Sequence, residues 1–66
     1  MKLIKRHEII KFPIQELVEF QFVIYNYEYV EKDILINNSF NRYLLDNNLQ
    51  VMEELLDDAI EYLSNQ

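Results

Sequence analysis

The chain has 66 residues, no cysteine and a formal net charge of −6, so we expect one small domain over residues 1–66 with no disulfide and no thiolate metal site. A domain of this length buries only about 60% of the surface of its unfolded chain, and therefore depends on a partner, on self-association or on unusually good packing. Half of the residues are hydrophobic, which argues against disorder.

The N-terminal segment, residues 2–11, is basic and is compatible with two structures. It is either an edge strand whose charges oppose sheet extension or a short helix, and Pro13 ends it in both cases. Its apolar residues occur in pairs rather than in an unbroken run, so we expect neither a signal peptide nor a membrane span. This predicts a cytoplasmic protein, located in the host cytoplasm if a phage encodes it. The basic residues of the segment are Lys2, Lys5, Arg6 and Lys11, beside His7, which we interpret as a surface residue.

Residues 18–30 are predicted to form a strand. Nine of these thirteen residues are β-branched or aromatic, a composition that favours strands. A strand would place Val18, Phe20, Phe22 and Ile24 on one face and Val23 with Tyr25, Tyr27 and Tyr29 on the other. A helix is the alternative, because several of the same apolar residues also recur with a period of 3.6. A turn over residues 31–33 and a short strand over residues 34–36 would follow.

The C-terminal half is predicted to be helical. Ser39 is a suitable N-cap for a short helix over residues 40–46, and Asn47 with Gln50 has the spacing of a capping box. Apolar residues at helical spacing then predict an amphipathic helix over residues 49–64. The expected fold class is α+β, with a small antiparallel sheet of two or three strands and the C-terminal amphipathic helix packed on one face. An all-α bundle is the alternative.

The C-terminal helix carries a concentrated negative charge. Its five acids are Glu53, Glu54, Asp57, Asp58 and Glu61, and no basic residue follows Arg42. Like charges four residues apart on a helix destabilise it by a few tenths of a kcal/mol per pair. The acids are either a solvated face that keeps the protein soluble or an anionic docking surface. A solvated helix face supplies no cleft for acid–base catalysis and no calcium loop, so we assign no catalytic residue, metal or cofactor.

These patterns predict a small, non-enzymatic inhibitor or antagonist. Its acidic helix would dock on a basic partner, such as the nucleic-acid-binding surface of an enzyme, and direct binding to nucleic acid is disfavoured. In length, acidity and Asn-, Ile- and Lys-rich usage the chain is similar to the short acidic inhibitors of phages and mobile elements, including anti-CRISPR and anti-restriction proteins that mimic DNA.

Two alternatives to the inhibitor remain open. One is an antitoxin or immunity protein that neutralises a basic nuclease. The other is a homo-oligomeric structural or accessory subunit that associates through Tyr25, Tyr27 and Tyr29, since tyrosine is common at binding hot spots.

Overall fold

The computed structural model describes residues 2–26 and 35–66, and this part of the chain is mainly helical. Its two strands pair in parallel, with Lys2 opposite Leu49 and Leu3 opposite Gln50. The predicted antiparallel sheet is therefore wrong, and the all-α alternative is closer to the structure. None of the described helices is long and apolar enough to cross a membrane. The elements in order are β1 (Lys2–Leu3), α1 (Arg6–Ile9), α2 (Ile14–Asn26), α3 (Ser39–Asp46), β2 (Leu49–Gln50) and α4 (Glu53–Ser64).

Helix α2 replaces the strand predicted from residue 18 onward. A strand would bury Phe20 and Phe22 on the same face, but Phe20 is 5% exposed and Phe22 is 57% exposed. The buried residues of α2 are instead Leu17, Phe20 and Val23, at the three-residue spacing of a helix face. The first turn is rich in Gln, Glu and Leu, which form helices well. Helical burial thus overrides the β-branched and aromatic composition of this segment.

The predicted turn over residues 31–33 and residue 34 of the predicted short strand lie outside the described residues, as do residues 27–30 of the longer predicted strand. Leu35 and Ile36 of the predicted short strand are described, and they form a helical turn before α3 rather than a strand. Leu35 is 1% exposed and belongs to the core.

The N-terminal segment contains both of the structures that the sequence left open. Lys2 and Leu3 form strand β1, and α1 then begins after Lys5. The Glu8 carboxylate accepts a hydrogen bond from the backbone N–H of Lys5 at 3.3 Å, which satisfies a free donor at the helix start. Ile4, which follows the strand, and Ile9 of the helix are both almost fully buried. The segment is therefore divided into a strand and a helix by a local cap and by the burial of two isoleucines, neither of which its charge pattern could predict.

The core is centred on Phe40 of α3. This side chain is fully buried and packs edge-to-face against Phe12 and Phe20, with ring centroids 5.2 and 5.0 Å away. Such pairs stabilise a core by about 0.5–1.5 kcal/mol beyond the area that they bury. Helix α4 adds Leu56 and Ala59, which are both fully buried. The core thus joins all four described helices around one aromatic side chain.

A buried asparagine joins α3 to α2. Asn38 is 1% exposed, and its side-chain amide donates to the backbone oxygen of Glu16 and to the carboxylate of Glu19, both at 2.8 Å. Its side-chain oxygen accepts from the backbone N–H of Asn41 at 2.9 Å, which caps α3. The Ser39 hydroxyl donates to the Glu16 carboxylate beside it. Both the nitrogen and the oxygen of the buried Asn38 amide therefore form hydrogen bonds within the protein.

The structure confirms the two C-terminal helices and corrects their caps. The N-cap of α3 is Asn38 rather than Ser39, which is the first helical residue. Asn47 does not open a capping box, because it ends α3 and Asn48 then takes a left-handed conformation with φ of 52°. Asparagine tolerates this conformation better than most residues, which suits a chain without glycine. Helix α4 consequently begins at Glu53, four residues later than predicted.

Candidate functional site

The five acids of α4 form an exposed ridge on a helix that is anchored from below. Helix α4 packs against α1 and α2 through Leu56 and Ala59, and the carboxylate-bearing residues from Glu53 to Glu61 are all exposed. At a rise of about 1.5 Å per residue this stretch is about 12 Å long. The five charges are separated by four intervals and lie about 3 Å apart along the axis, which falls between the spacing of one DNA strand, about 3.4 Å, and that of the duplex, about 1.7 Å.

The ridge has an inner and an outer side. Asp57 faces α2 and accepts a hydrogen bond from the Gln21 side-chain amide, and Glu53 lies one turn earlier along the same side. The outer side consists of Glu54, Asp58 and Glu61. Within the described part of the chain, no hydrogen bond reaches the carboxylates of these three residues. The outer carboxylates are therefore held in place by the helix backbone while their oxygens remain available to a partner.

Tyr25 is the predicted aromatic-site residue that the structure describes. It lies in the last turn of α2 and is 40% exposed. Partial burial raises the pKa of its hydroxyl, and the nearby carboxylates of Glu53 and Asp57 raise it further. The structure thus brings one predicted aromatic residue to the inner side of the acidic ridge. Because Tyr25 is on a helix, the predicted strand face does not apply to it, and Tyr27 and Tyr29 lie outside the described residues.

A groove opens next to Tyr25, between the C-terminal turns of α2 and α3. Its volume is about 490 Å³, and β2 and the start of α4 close its other side. Phe20 and Leu44 form a buried floor, whereas Ile24 and Leu45 are 38% and 55% exposed. Glu53 is the charged residue among those described in its lining. An apolar groove with a few polar groups at its edge is the usual form of a binding site.

The basic segment lies at the other end of α4. The Arg6 guanidinium carbon is 4.5 Å from the centre of the Tyr62 ring, so this residue contacts α4 through a cation–π interaction. For Arg6 the contact with α4 is made through an aromatic ring rather than through a carboxylate.

Glu8 and Tyr43 form a second polar contact near the basic segment. The Tyr43 hydroxyl donates to a Glu8 carboxylate oxygen at 2.6 Å, a length typical of hydrogen bonds to an ionised carboxylate. This bond, with the one from the Lys5 backbone, holds the pKa of Glu8 below its usual value. The same bond raises the pKa of Tyr43. Both residues are half-buried, and the pair joins α1 to α3.

The sequence predicted the acidic ridge but not the groove or the Asn38 cluster. All five acids are exposed on α4, because residues outside the buried stripe of a helix face solvent. The groove combines residues that are far apart in sequence, such as Ile24 and Leu45. A partial signal was present in the adjacent apolar pairs near the ends of α2 and α3, where the exposed Ile24 and Leu45 follow the buried Val23 and Leu44.

A comparison with known proteins finds no family model that matches the chain, no significantly similar curated protein and no significantly similar solved structure. Across residues 2–26 and 35–66, no group of three histidine or acidic side chains is arranged to hold a metal ion.

Proposed function

We propose that this chain is a small non-enzymatic binding protein that inhibits or blocks a basic partner through the acidic ridge of α4. The partner would be a cytoplasmic protein whose basic surface normally accepts nucleic-acid phosphates. Lysine and arginine on such a surface would meet carboxylates at a spacing close to that of phosphates. This is the mode of action of an anti-defence protein of a phage or mobile element, and an antitoxin that neutralises a basic nuclease would use the same chemistry.

The outer carboxylates carry this proposal. Glu54, Asp58 and Glu61 lie on a helix whose opposite face is fixed by Leu56 and Ala59, both 0% exposed. Because the helix backbone is already fixed, binding needs no backbone rearrangement, and the like charges favour rapid association with a surface of opposite charge. Three carboxylates on one side of one helix repel each other in the free protein. A basic partner would relieve that repulsion, whereas a role in folding would not explain it.

The test is capture of partners from a nuclease-treated host lysate by the full chain and by two charge variants. The first variant, Glu54→Gln with Asp58→Asn and Glu61→Gln, removes the outer charges. The second, Glu28→Gln with Glu31→Gln and Asp33→Asn, changes the net charge equally in another part of the sequence. We expect a basic protein to be retained by the wild type and the second variant, released by raised salt, and lost with the first variant.

Two results would contradict the proposal. Equal capture by both variants would mean that net charge, rather than the ridge, attracts the partner. Recovery of the bait alone would mean that the acids serve only solubility. A purified partner identified in this way is then assayed for loss of nucleic-acid binding when the full chain is added.

Self-association is the second candidate function, and one observation favours it. Val18 and Tyr25 lie two turns apart on the same side of α2 and are 44% and 40% exposed. Burying such side chains against a second copy would stabilise a small domain. A melting temperature that rises with protein concentration would support this candidate. A melting temperature that is independent of concentration, with a monomeric mass in solution, would exclude it.

A further inference from the structure

The groove between the last turns of α2 and α3 offers what the acidic ridge lacks, which is apolar surface. Ile24, Tyr25 and Leu45 are each between 38% and 55% exposed around a floor formed by Phe20 and Leu44. Charge pairs at an exposed surface contribute more to association rate and specificity than to affinity. The affinity of protein interfaces comes mainly from a few side chains that fill apolar pockets. A partner that binds the ridge therefore finds its anchoring pocket directly beside it.

The electrostatics around the groove select a cationic occupant. The groove lies at the C-terminal turns of both α2 and α3, where the helix dipole is negative, and neither turn contains a basic residue. The side-chain amides of Asn26 and Asn47 cap carbonyls there, at 2.9 Å from the oxygens of Phe22 and Tyr43, but they carry no charge. Two helix C-termini thus direct negative potential at one apolar groove, and the Glu53 carboxylate offsets the positive N-terminus of α4 that also borders it.

The inner acids of α4 add full charges to this field. Glu53 lies in the lining of the groove, and Asp57 follows it one turn later towards Gln21. Partial burial is the main cause of the raised pKa of the Tyr25 hydroxyl, and both carboxylates are close enough to raise it further. A lysine or arginine lies favourably along such a surface, since its aliphatic stem can cover apolar atoms while its charged group reaches a carboxylate. The tyrosine ring is also a cation–π acceptor for either side chain.

We infer that this groove binds a short basic peptide segment of the partner, which inserts an aliphatic or aromatic side chain flanked by lysine or arginine. The inference rests on the proposed function, because the ridge and the groove form one continuous surface that meets a basic protein. The apolar side chain contacts Ile24 and Leu45, and the flanking cations face Glu53, Asp57 and the ends of α2 and α3. The ridge then recruits the partner, and the groove retains it.

The test is a titration of the isotope-labelled full chain with three blocked peptides, followed by the chemical shifts of its backbone amides. Acetyl-KKLLKK-amide carries both features of the inferred segment. Acetyl-KKSSKK-amide has the same charge without the apolar side chains, and acetyl-EELLEE-amide has the apolar side chains with the opposite charge. We expect the first peptide to shift the amides of Ile24, Leu45 and Glu53, and to bind at least about tenfold more tightly than either control.

Two variants locate the site. Leu45→Ser removes an exposed apolar side chain from the groove. We expect it to reduce the affinity for acetyl-KKLLKK-amide to that for acetyl-KKSSKK-amide, and to leave the affinity for acetyl-KKSSKK-amide unchanged. Ile24→Thr should have the same effect and serves if the first variant does not fold. Val18→Ser changes a similarly exposed apolar residue outside the groove and is expected to leave binding unaltered. Equal weakening by Val18→Ser and Leu45→Ser would overturn the inference.

The outcomes separate this inference from the proposed function. Equal binding of the two basic peptides, with shifts confined to α4, would leave the ridge as the docking surface and overturn the groove as its anchor. Equal binding of the acidic peptide would show an apolar groove without charge preference and would also overturn the inference. Competition by spermidine at equal concentration would assign the groove to free cations instead of a peptide segment. If none of the three peptides binds, the groove is not a peptide-binding site. The capture of partners from a lysate tests the role of the acidic ridge independently of this result.

Discussion

The replacement of Asn38 by alanine tests the central polar contact of this fold. Asn38 is the largest polar contribution to the core, and its amide joins the N-terminus of α3 to two residues of α2. Asn38→Ala removes the cap on the Asn41 backbone N–H and both donors to α2. The variant removes no side chain of the apolar core, so its effect comes from these polar contacts and from the space that the amide filled.

The magnitude follows from the bonds that are lost. Loss of an N-cap costs about 0.5–2 kcal/mol, and each further hydrogen bond contributes about 0.5–1.5 kcal/mol. Because Glu19 is exposed and water can replace part of its bond, we expect a total loss of about 2–3 kcal/mol. A domain of this size is stable by roughly 3–10 kcal/mol. The melting temperature should therefore fall by roughly 8–24 °C.

The assay is thermal and urea denaturation followed by far-ultraviolet circular dichroism. Asn37→Ala is the matched control, because this neighbouring asparagine is exposed and its loss should change the free energy of unfolding by less than about 0.5 kcal/mol. A difference between the two variants within that range would refute the assignment of Asn38 as the joint between α2 and α3.

A second replacement distinguishes the cap from the joint. Aspartate is as good an N-cap as asparagine, so Asn38→Asp would restore stability if only the cap mattered. The structure predicts the opposite, because the new carboxylate would face the Glu19 carboxylate and the Glu16 carbonyl oxygen. Like charge and burial would raise the pKa of this pair, so stability should recover as the pH falls and be lost again as the pH rises through the raised pKa. Wild-type stability of Asn38→Asp at neutral pH would contradict this reasoning.

Three further predictions follow from the burial of single residues and from contacts between side chains. Val23→Ala should destabilise the protein by about 1.5–2.5 kcal/mol, whereas Val18→Ala should cost less than about 0.5 kcal/mol. The reason is that Val23 is 6% exposed and Val18 is 44% exposed. Equal losses of stability in urea denaturation would contradict the assignment of Val23 to the buried face of α2. In Tyr43→Phe the pKa of Glu8, measured by NMR, should return toward its usual value, since the Tyr43 hydroxyl is the main cause of its lowering. The stability lost in Tyr43→Phe should be present above the ordinary glutamate pKa of about 4.3 and vanish as the pH falls through the lowered pKa of Glu8; a pH-independent loss would show that the ring, not the bond, matters. Arg6→Ala should cost about 0.5–1 kcal/mol, and Tyr62→Ala should abolish that difference in a double-mutant cycle, whereas additive losses would exclude the cation–π contact.

The sequence by itself determined the features that depend on local geometry. Helical spacing and the absence of a base beyond Arg42 located the acidic ridge from Glu53 to Glu61, and α3 was located to within one residue. These features follow from the period of the helix and from charge, and neither requires knowledge of a neighbouring element.

Only the tertiary structure decided the state of α2 and the surfaces that it forms. Residues 18–26 have the composition of a strand and the period of a helix, and the choice fell to the helix because it buries Leu17, Phe20 and Val23 together. The groove beside Tyr25 and the hydrogen bonds of Asn38 join residues about 20 positions apart. Such contacts depend on how helices pack against each other, and the order of residue types along the chain does not show which helices will be neighbours.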